Sequence, residues 1–164
     1  SVVPLTTHIA IKNVAKKINF RFIKNKIYNL NTSYHSVFKK KPKIAVLGLN
    51  PHNGESRSNT EEKKIIIPVI KFLKKNKHKI YGPFSSDTFF ASNKILKYDI
   101  VLGMYHDQVL TPFKTIFKFD ACNITLGLKY FRVSPDHGTA EDIIGKKRAN
   151  PLSLIKSIDF ISNI

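Results

Sequence analysis

The stretch that decides the fold is Ile100-Val101-Leu102-Gly103-Met104-Tyr105-His106-Asp107-Gln108. The apolar run from Tyr98 to Met104 is too short for a typical helix and reads as a buried strand of a parallel sheet. In open α/β sheets ligands bind in the crevice outside the carboxyl ends of the strands, so His106 and Asp107 fall where chemistry is expected. Two further runs end in the same way. Val2 to Leu5 leads into Thr6-Thr7-His8, and Ile44 to Leu47 leads into Gly48-Leu49-Asn50-Pro51-His52. Three strands that each end in a histidine can bring three imidazoles to one rim, and three histidines with an open position form a catalytic-metal arrangement. A histidine after a single strand is ordinarily a hydrogen-bonded loop residue. Three in parallel positions strengthen the metal reading without deciding it. His35 and His78 lie in lysine-rich stretches and carry no such pattern.

Outward from these strands, helical periodicity alternates with strand-like runs. Ile11, Val14, Ala15 and Ile18 follow helical spacing, and Ile23, Ile27, Leu30, Tyr34, Val37 and Phe38 predict a longer helix, loosened at Asn31 and Ser33. Ser58 with Glu61 matches a capping box, opening a helix to about Lys75 with Ile66, Val69, Ile70 and Leu73 on its apolar face. Pro68 inside it predicts a kink or a late start. Lys79 to Tyr81 reads as a short strand closed by Gly82-Pro83, and Ser86-Asp87-Thr88 caps a brief helix. Val109 to Phe117 reads as loop and short helix, and Asn123 to Leu126 with Tyr130 to Val133 as two strands joined near Gly127. Asn150-Pro151 predicts an N-cap and first helical residue, with Leu154, Ile155, Ile158 and Ile161 on one face of the helix that follows. The β, α, β, α, β order predicts an α/β fold with a largely parallel sheet flanked by helices.

A chain of 164 residues, 42% hydrophobic and 24% charged, is long enough for one domain with a real core. No apolar stretch approaches the about 18 residues that span a membrane. The start, Ser1-Val2-Val3-Pro4-Leu5, lacks a basic segment before an apolar one, so no signal peptide is expected. A single cysteine, Cys122, excludes an internal disulfide and fits a reducing, cytoplasmic setting. The net charge of +17 suits anionic partners: nucleic acid, an anionic membrane or a small anionic substrate. The lysines are spread along the chain and no nucleic-acid motif accompanies them. A non-catalytic remnant, or a basic module that binds nucleic acid, stands as the rival reading, and steep salt dependence of polynucleotide binding without a metal effect would mark it.

Taken together, Thr6-Thr7-His8, Gly48-Leu49-Asn50-Pro51-His52, Gly54-Glu55, Gly82-Pro83, Asp87-Thr88 and Met104-Tyr105-His106-Asp107-Gln108 carry a family resemblance. It continues through Asn123-Ile124-Thr125-Leu126-Gly127-Leu128, Arg132, Asp136-His137-Gly138-Thr139-Ala140, Asp142-Ile143 and Gly145-Lys146. The sequence resembles the C-terminal half of the 4-hydroxythreonine-4-phosphate dehydrogenase family of vitamin B6 biosynthesis. The resemblance implies the second domain of a β-decarboxylating dehydrogenase. Residues from 1 to about 135 would form a metal, substrate and dimerisation domain, and those from about 136 to 164 a nucleotide-binding segment that returns to a first domain not present here.

The activity implied is oxidation of 4-phosphooxy-L-threonine with NAD or NADP, followed by loss of carbon dioxide to give 3-amino-2-oxopropyl phosphate. By motif, His8, His52 and His106 match ligands of a divalent cation (zinc, magnesium or cobalt) shared between the subunits of a homodimer. Lys114, Asn123 and Arg132 match substrate-binding residues, and Asp136, His137, Gly138, Thr139 and Asp142 fall in the nucleotide segment. Asp87 and Asp107 are the candidates for proton transfer or for fixing a metal-bound water. The sequence departs from the family pattern at Ser56-Arg57-Ser58-Asn59, usually glycine-rich and one residue longer, and at Glu141, usually apolar. Val109 stands where the family typically has glycine, which predicts strain of about 1–2 kcal/mol should the position need a positive φ.

Overall fold

The computed structural model describes residues 1–55 and 58–164, which divide into two compact units, Ser1–Pro112 and Phe113–Ile164. In the first unit β1 (Val2–Thr6) leads through a 3₁₀ turn into α1 (Val14–Lys17) and α2 (Phe20–Phe38). β2 (Ile44–Leu47) follows, then a 3₁₀ turn over Pro51–Gly54, a π-helical turn over Glu62–Ile66 and α3 (Ile67–Lys75). β3 (Ile80–Phe84), α4 (Ser86–Ala91) and β4 (Ile100–Tyr105) complete the sheet. α5 (His106–Phe117) starts in the first unit and ends in the second. The second unit continues with β5 (Cys122–Thr125), β6 (Arg132–Pro135) and α6 (Leu152–Ser162).

The four strands of the first unit lie in the order β1-β4-β2-β3, and every pairing is parallel. This is the α/β, largely parallel architecture expected from the strand-like runs. β2 is buried at all four residues and β4 at its first five, as central strands covered on both faces must be. Ala45, Leu47 and Val101 share one face with Phe89 of α4 and Val109 of α5. By the two-residue period of a strand, Ile44, Val46, Ile100 and Leu102 point to the other face. α3 packs on β3 and against α2. The buried residues of α2 are Ile23, Ile27, Leu30 and Tyr34, and those of α3 are Val69, Ile70 and Leu73, the stripes that the periodicity marks out.

Gly82 has φ +120° in β3, and a Cβ there would come within 2.3 Å of the Val46 carbonyl oxygen. Only glycine lets β3 approach β2 so closely.

Several local expectations are corrected. α2 is continuous through Asn31, whose side-chain amide donates to the Ile27 carbonyl at 2.8 Å instead of interrupting the helix. Thr60, rather than Ser58, supplies the hydroxyl at the entry to the helix, accepting from the Lys63 amide at 3.4 Å. At Pro68 the expected late start holds: a π turn precedes α3, the Ile67 amide bonds the Glu62 carbonyl, and the proline falls in the first turn of α3, where a missing N–H costs little. α5 begins at His106 itself, with no preceding loop. Val109 is therefore a buried helical residue with no positive φ, and the strain foreseen for a glycine replacement does not arise. α6 starts at Leu152, with the Asn150 side chain accepting from its amide at 2.9 Å. Of the four-residue departure after Glu55, Ser56 and Arg57 lie outside the described residues.

In the second unit β5 and β6 form an antiparallel pair with Asn123 opposite Ser134 and Thr125 opposite Arg132. α6 packs on both strands through a narrow polar face. Ser153 and Ser157 are its buried residues, and the Ser153 hydroxyl donates to the Ala121 carbonyl and accepts from the Asp136 amide. The helix docks by its serines and leaves its isoleucines outward.

Candidate active site

Because β1, β2 and β4 run parallel, their C-terminal ends lie along one edge of the sheet, and each is followed by one of the three histidines. The His8 and His106 rings lie with centroids 6.0 Å apart. His8 (φ 50°) and His52 (φ 49°) both hold left-handed backbone, which costs a residue with a Cβ about 1–2 kcal/mol. Strain of this kind is retained where the surrounding structure aims a side chain, and it gathers at functional sites. His106 opens α5, and its Nδ1 lies 2.7 Å from Asp107 Oδ1. A carboxylate on Nδ1 leaves Nε2 as the ligating nitrogen, the usual second partner of a metal-bound imidazole.

His52 faces a cleft of about 260 Å³ that Asp87, Tyr105 and Gln108 also line. Its Nδ1 lies 3.9 Å from both Asp87 Oδ2 and Glu55 Oε1. Asp87 Oδ1 accepts from the Ser85 hydroxyl at 2.7 Å and from the Thr88 amide at 2.8 Å. These two bonds, the hydroxyl first, hold its carboxyl below the usual carboxylate range. Asp87 is thus a standing anion beside His52.

The three imidazoles suit a divalent cation in kind, and two of them lie side by side. Among the described residues, however, no group of three or more His, Cys, Asp and Glu side chains is arranged to hold a metal ion.

The remaining candidates lie in the second unit. Asn123 and Thr125 are two residues apart on β5, and Arg132 stands opposite Thr125, so Asn123 and Arg132 share one face of the ribbon. The Arg132 guanidinium is exposed and donates to Thr125 Oγ1 at 2.9 Å. Lys114 donates to the Asp136 carbonyl at 3.1 Å and lies 3.4 Å from its Oδ1. Asp136 Oδ2 is buried without a partner. His137, Gly138 and Thr139 follow in an exposed loop, and Asp142 sits in a 3₁₀ turn over Glu141–Ile143. Glu141 is exposed there, so a charge in place of an apolar residue meets solvent.

Comparison with known proteins settles the family. The model of the pyridoxal phosphate biosynthetic protein PdxA family matches residues 1–161. The chain belongs to the PdxA family. The 4-hydroxythreonine-4-phosphate dehydrogenase of Bradyrhizobium diazoefficiens is 42% identical over 166 residues, covering 100% of this chain and 48% of that protein. The same enzyme of a Sulfurihydrogenibium species is 43% identical over 94% of this chain and 48% of its own length. The crystal structure of the Klebsiella pneumoniae 4-hydroxythreonine-4-phosphate dehydrogenase superposes with a TM-score of 0.82 at 34% identity, covering 99% of this chain and 50% of that one. The chain thus spans about half the length of the PdxA relatives that it matches.

Two groups at the candidate site go beyond the motif reading. Gln108 is legible in the sequence only as part of the motif, and Glu62 belongs to none of the motifs. Both are buried polar side chains bonded to the strand ends that carry the histidines. A glutamine in the first helical turn after a buried strand was the available signal for Gln108.

Proposed function

We propose that this chain is the metal- and substrate-binding half of a 4-hydroxythreonine-4-phosphate dehydrogenase. The reaction is oxidation of 4-phosphooxy-L-threonine with NAD or NADP and a divalent cation, followed by decarboxylation to 3-amino-2-oxopropyl phosphate. The observation that carries the reading is the parallel alignment of β1, β2 and β4, which sets His8, His52 and His106 after three strand ends of one edge. That edge is where ligands of open α/β sheets bind. Membership of the PdxA family and the names of its relatives supply the substrate class.

When bound, the cation would supply Lewis acidity to a substrate oxygen that gains negative charge, and the nicotinamide a hydride acceptor. His8, His52 and His106 would hold the cation through imidazole nitrogens, which bring no negative charge to offset that of the metal. As the family resemblance implies, that cation would be shared between the two subunits of a homodimer. Asp107 orients His106 through Nδ1. Asp87, kept anionic by Ser85 and Thr88, either steadies His52 or accepts a proton in the cleft. Arg132 presents a planar donor fork to the phosphate or carboxylate, Lys114 a point charge, and Asn123 hydrogen bonds from the same ribbon face as Arg132. Asp136, His137, Gly138, Thr139 and Asp142 offer one wall of the nucleotide site, and residues from about 136 to 164 complete a first domain contributed by the part of the family's length this chain does not cover.

The test is metal content, together with NADH formation from 4-phosphooxy-L-threonine, for the chain combined with that remaining part of a PdxA relative. His106→Ala should lose both. Unchanged metal content after this substitution would sink the ligand assignment.

A further inference from the structure

We infer that Gln108 is a positioning residue whose side-chain amide clamps three elements of the candidate site into one geometry. The inference rests on the reading of His8, His52 and His106 as a cation site. Gln108 is 8% exposed, so its polar atoms depend on protein partners. Its Oε1 accepts from the Met104 amide at 2.6 Å, at the end of β4 and two residues before His106. Its Nε2 donates to the Gly48 carbonyl at 2.6 Å, just past β2 on the way to His52. The same nitrogen donates to the Ser86 hydroxyl at 3.0 Å, beside Asp87. One amide therefore joins the segments that carry His106, His52 and Asp87. Met104 passes the connection on, since its carbonyl accepts from the Thr6 hydroxyl at 2.7 Å, two residues before His8.

The chemistry requires glutamine. Both amide hydrogens and the carbonyl are in use, so a carboxylate would lose the two donated bonds and an apolar side chain all three. Gly103 makes room for the amide: a Cβ there would lie 3.0 Å from Gln108 Oε1 and 2.4 Å from Val109 Cγ1. Groups that orient metal ligands without touching the metal commonly change affinity by about 10–100-fold when removed.

Gln108→Met and Gln108→Glu are compared with Ile27→Ala, a fully buried change in α2 that lowers stability without touching the network. Cobalt(II) is titrated into each full chain and followed by its visible absorption, and the imidazole nitrogens are followed by NMR without metal. Expected is a cobalt affinity about 10–100-fold weaker for both Gln108 variants, with altered absorption and displaced His52 and His106 ring signals. Ile27→Ala should keep the parental affinity and ring signals. Parental cobalt binding and unmoved ring signals in Gln108→Met would overturn the clamp. If the parent chain binds no cobalt while Gln108→Met still displaces the rings, the cation reading falls and the clamp stands.

Discussion

At the scale of single residues, the ribbon of β5 and β6 explains why Arg132 and Lys are not equivalent there. Arg132 already anchors one nitrogen on Thr125 Oγ1, which fixes the plane of the guanidinium and leaves the rest of the fork outward on the face that carries Asn123. A lysine keeps the charge but offers no planar pair of donors. Arg132→Lys is expected to weaken binding of a phosphorylated substrate by roughly tenfold or more, since bidentate charge-assisted bonds are the strong ones. Calorimetric titration of the two forms, each combined with the part of a PdxA relative that this chain does not cover, decides it, and equal affinities would remove Arg132 from the proposed anion site. Gly103 makes a second case. Gly103→Ala drives a methyl into Val109 and Gln108, both packed in the core, and should cost about 1–3 kcal/mol in urea unfolding.

At the scale of elements, the loop from β2 to the π turn is held by a buried carboxylate. Glu62 is fully buried, and its Oε1 accepts from the Leu49 and Asn50 amides at 2.7 Å each, while Oε2 accepts from the Asn50 side chain at 2.9 Å. Burial is the largest influence on this group and by itself raises the pKa, but the bonds from Asn50 and Leu49 together outweigh it and hold the carboxyl below its ordinary 4.5. A depressed folded-state pKa means that the anion's contribution is complete above the unfolded value and is lost as pH falls below it. Stability of the parent chain should therefore decline as pH drops below about 4.5, and Glu62→Gln should flatten that part of the profile. Glu62→Ala, which leaves buried amides unpaired, should destabilise by about 2–3 kcal/mol at neutral pH. A urea series at several pH values reads both effects, and a parallel acid profile in Glu62→Gln would contradict the assignment.

At the scale of the whole molecule, α6 is the anomaly. Leu154, Ile155, Ile158 and Ile161 are each about half exposed (47–56%), while the same helix buries Ser153 and Ser157. Such a face on a helix is an association liability, and covering it is worth about 1 kcal/mol or more per side chain. The chain spans about half the length of its relatives, and we propose the part not covered here as the partner of this face. The isolated chain should self-associate in sedimentation velocity, and adding the remaining part should slow amide exchange across Leu152–Ser162. A clean monomer whose α6 amides are already protected would show that the face needs no partner. Among the described residues no helix is long and apolar enough to cross a membrane.

Local pattern was enough for the order of strands and helices, the apolar stripes of α2 and α3, and the positions of three histidines after strand ends. These follow from periods of two and 3.6 residues and from local breaks, which are properties of neighbouring residues. Its motifs also identified the family. Boundaries drifted where the deciding interaction was not local. The helix entry moved from Ser58 to Thr60, α5 began at His106, and Val109 proved helical, because each depends on how a strand end meets the next helix. The strand order β1-β4-β2-β3, the joining of distant segments by Gln108 and Glu62, and the burial of serines by α6 emerge only in the folded chain. Gln108 is 60 residues from the carbonyl it holds, and no short-range pattern encodes a bond of that separation. The isoleucines of α6 fall on one apolar face by periodicity alone, yet what a helix buries is set by the surface available to it, and the residues buried here are two serines.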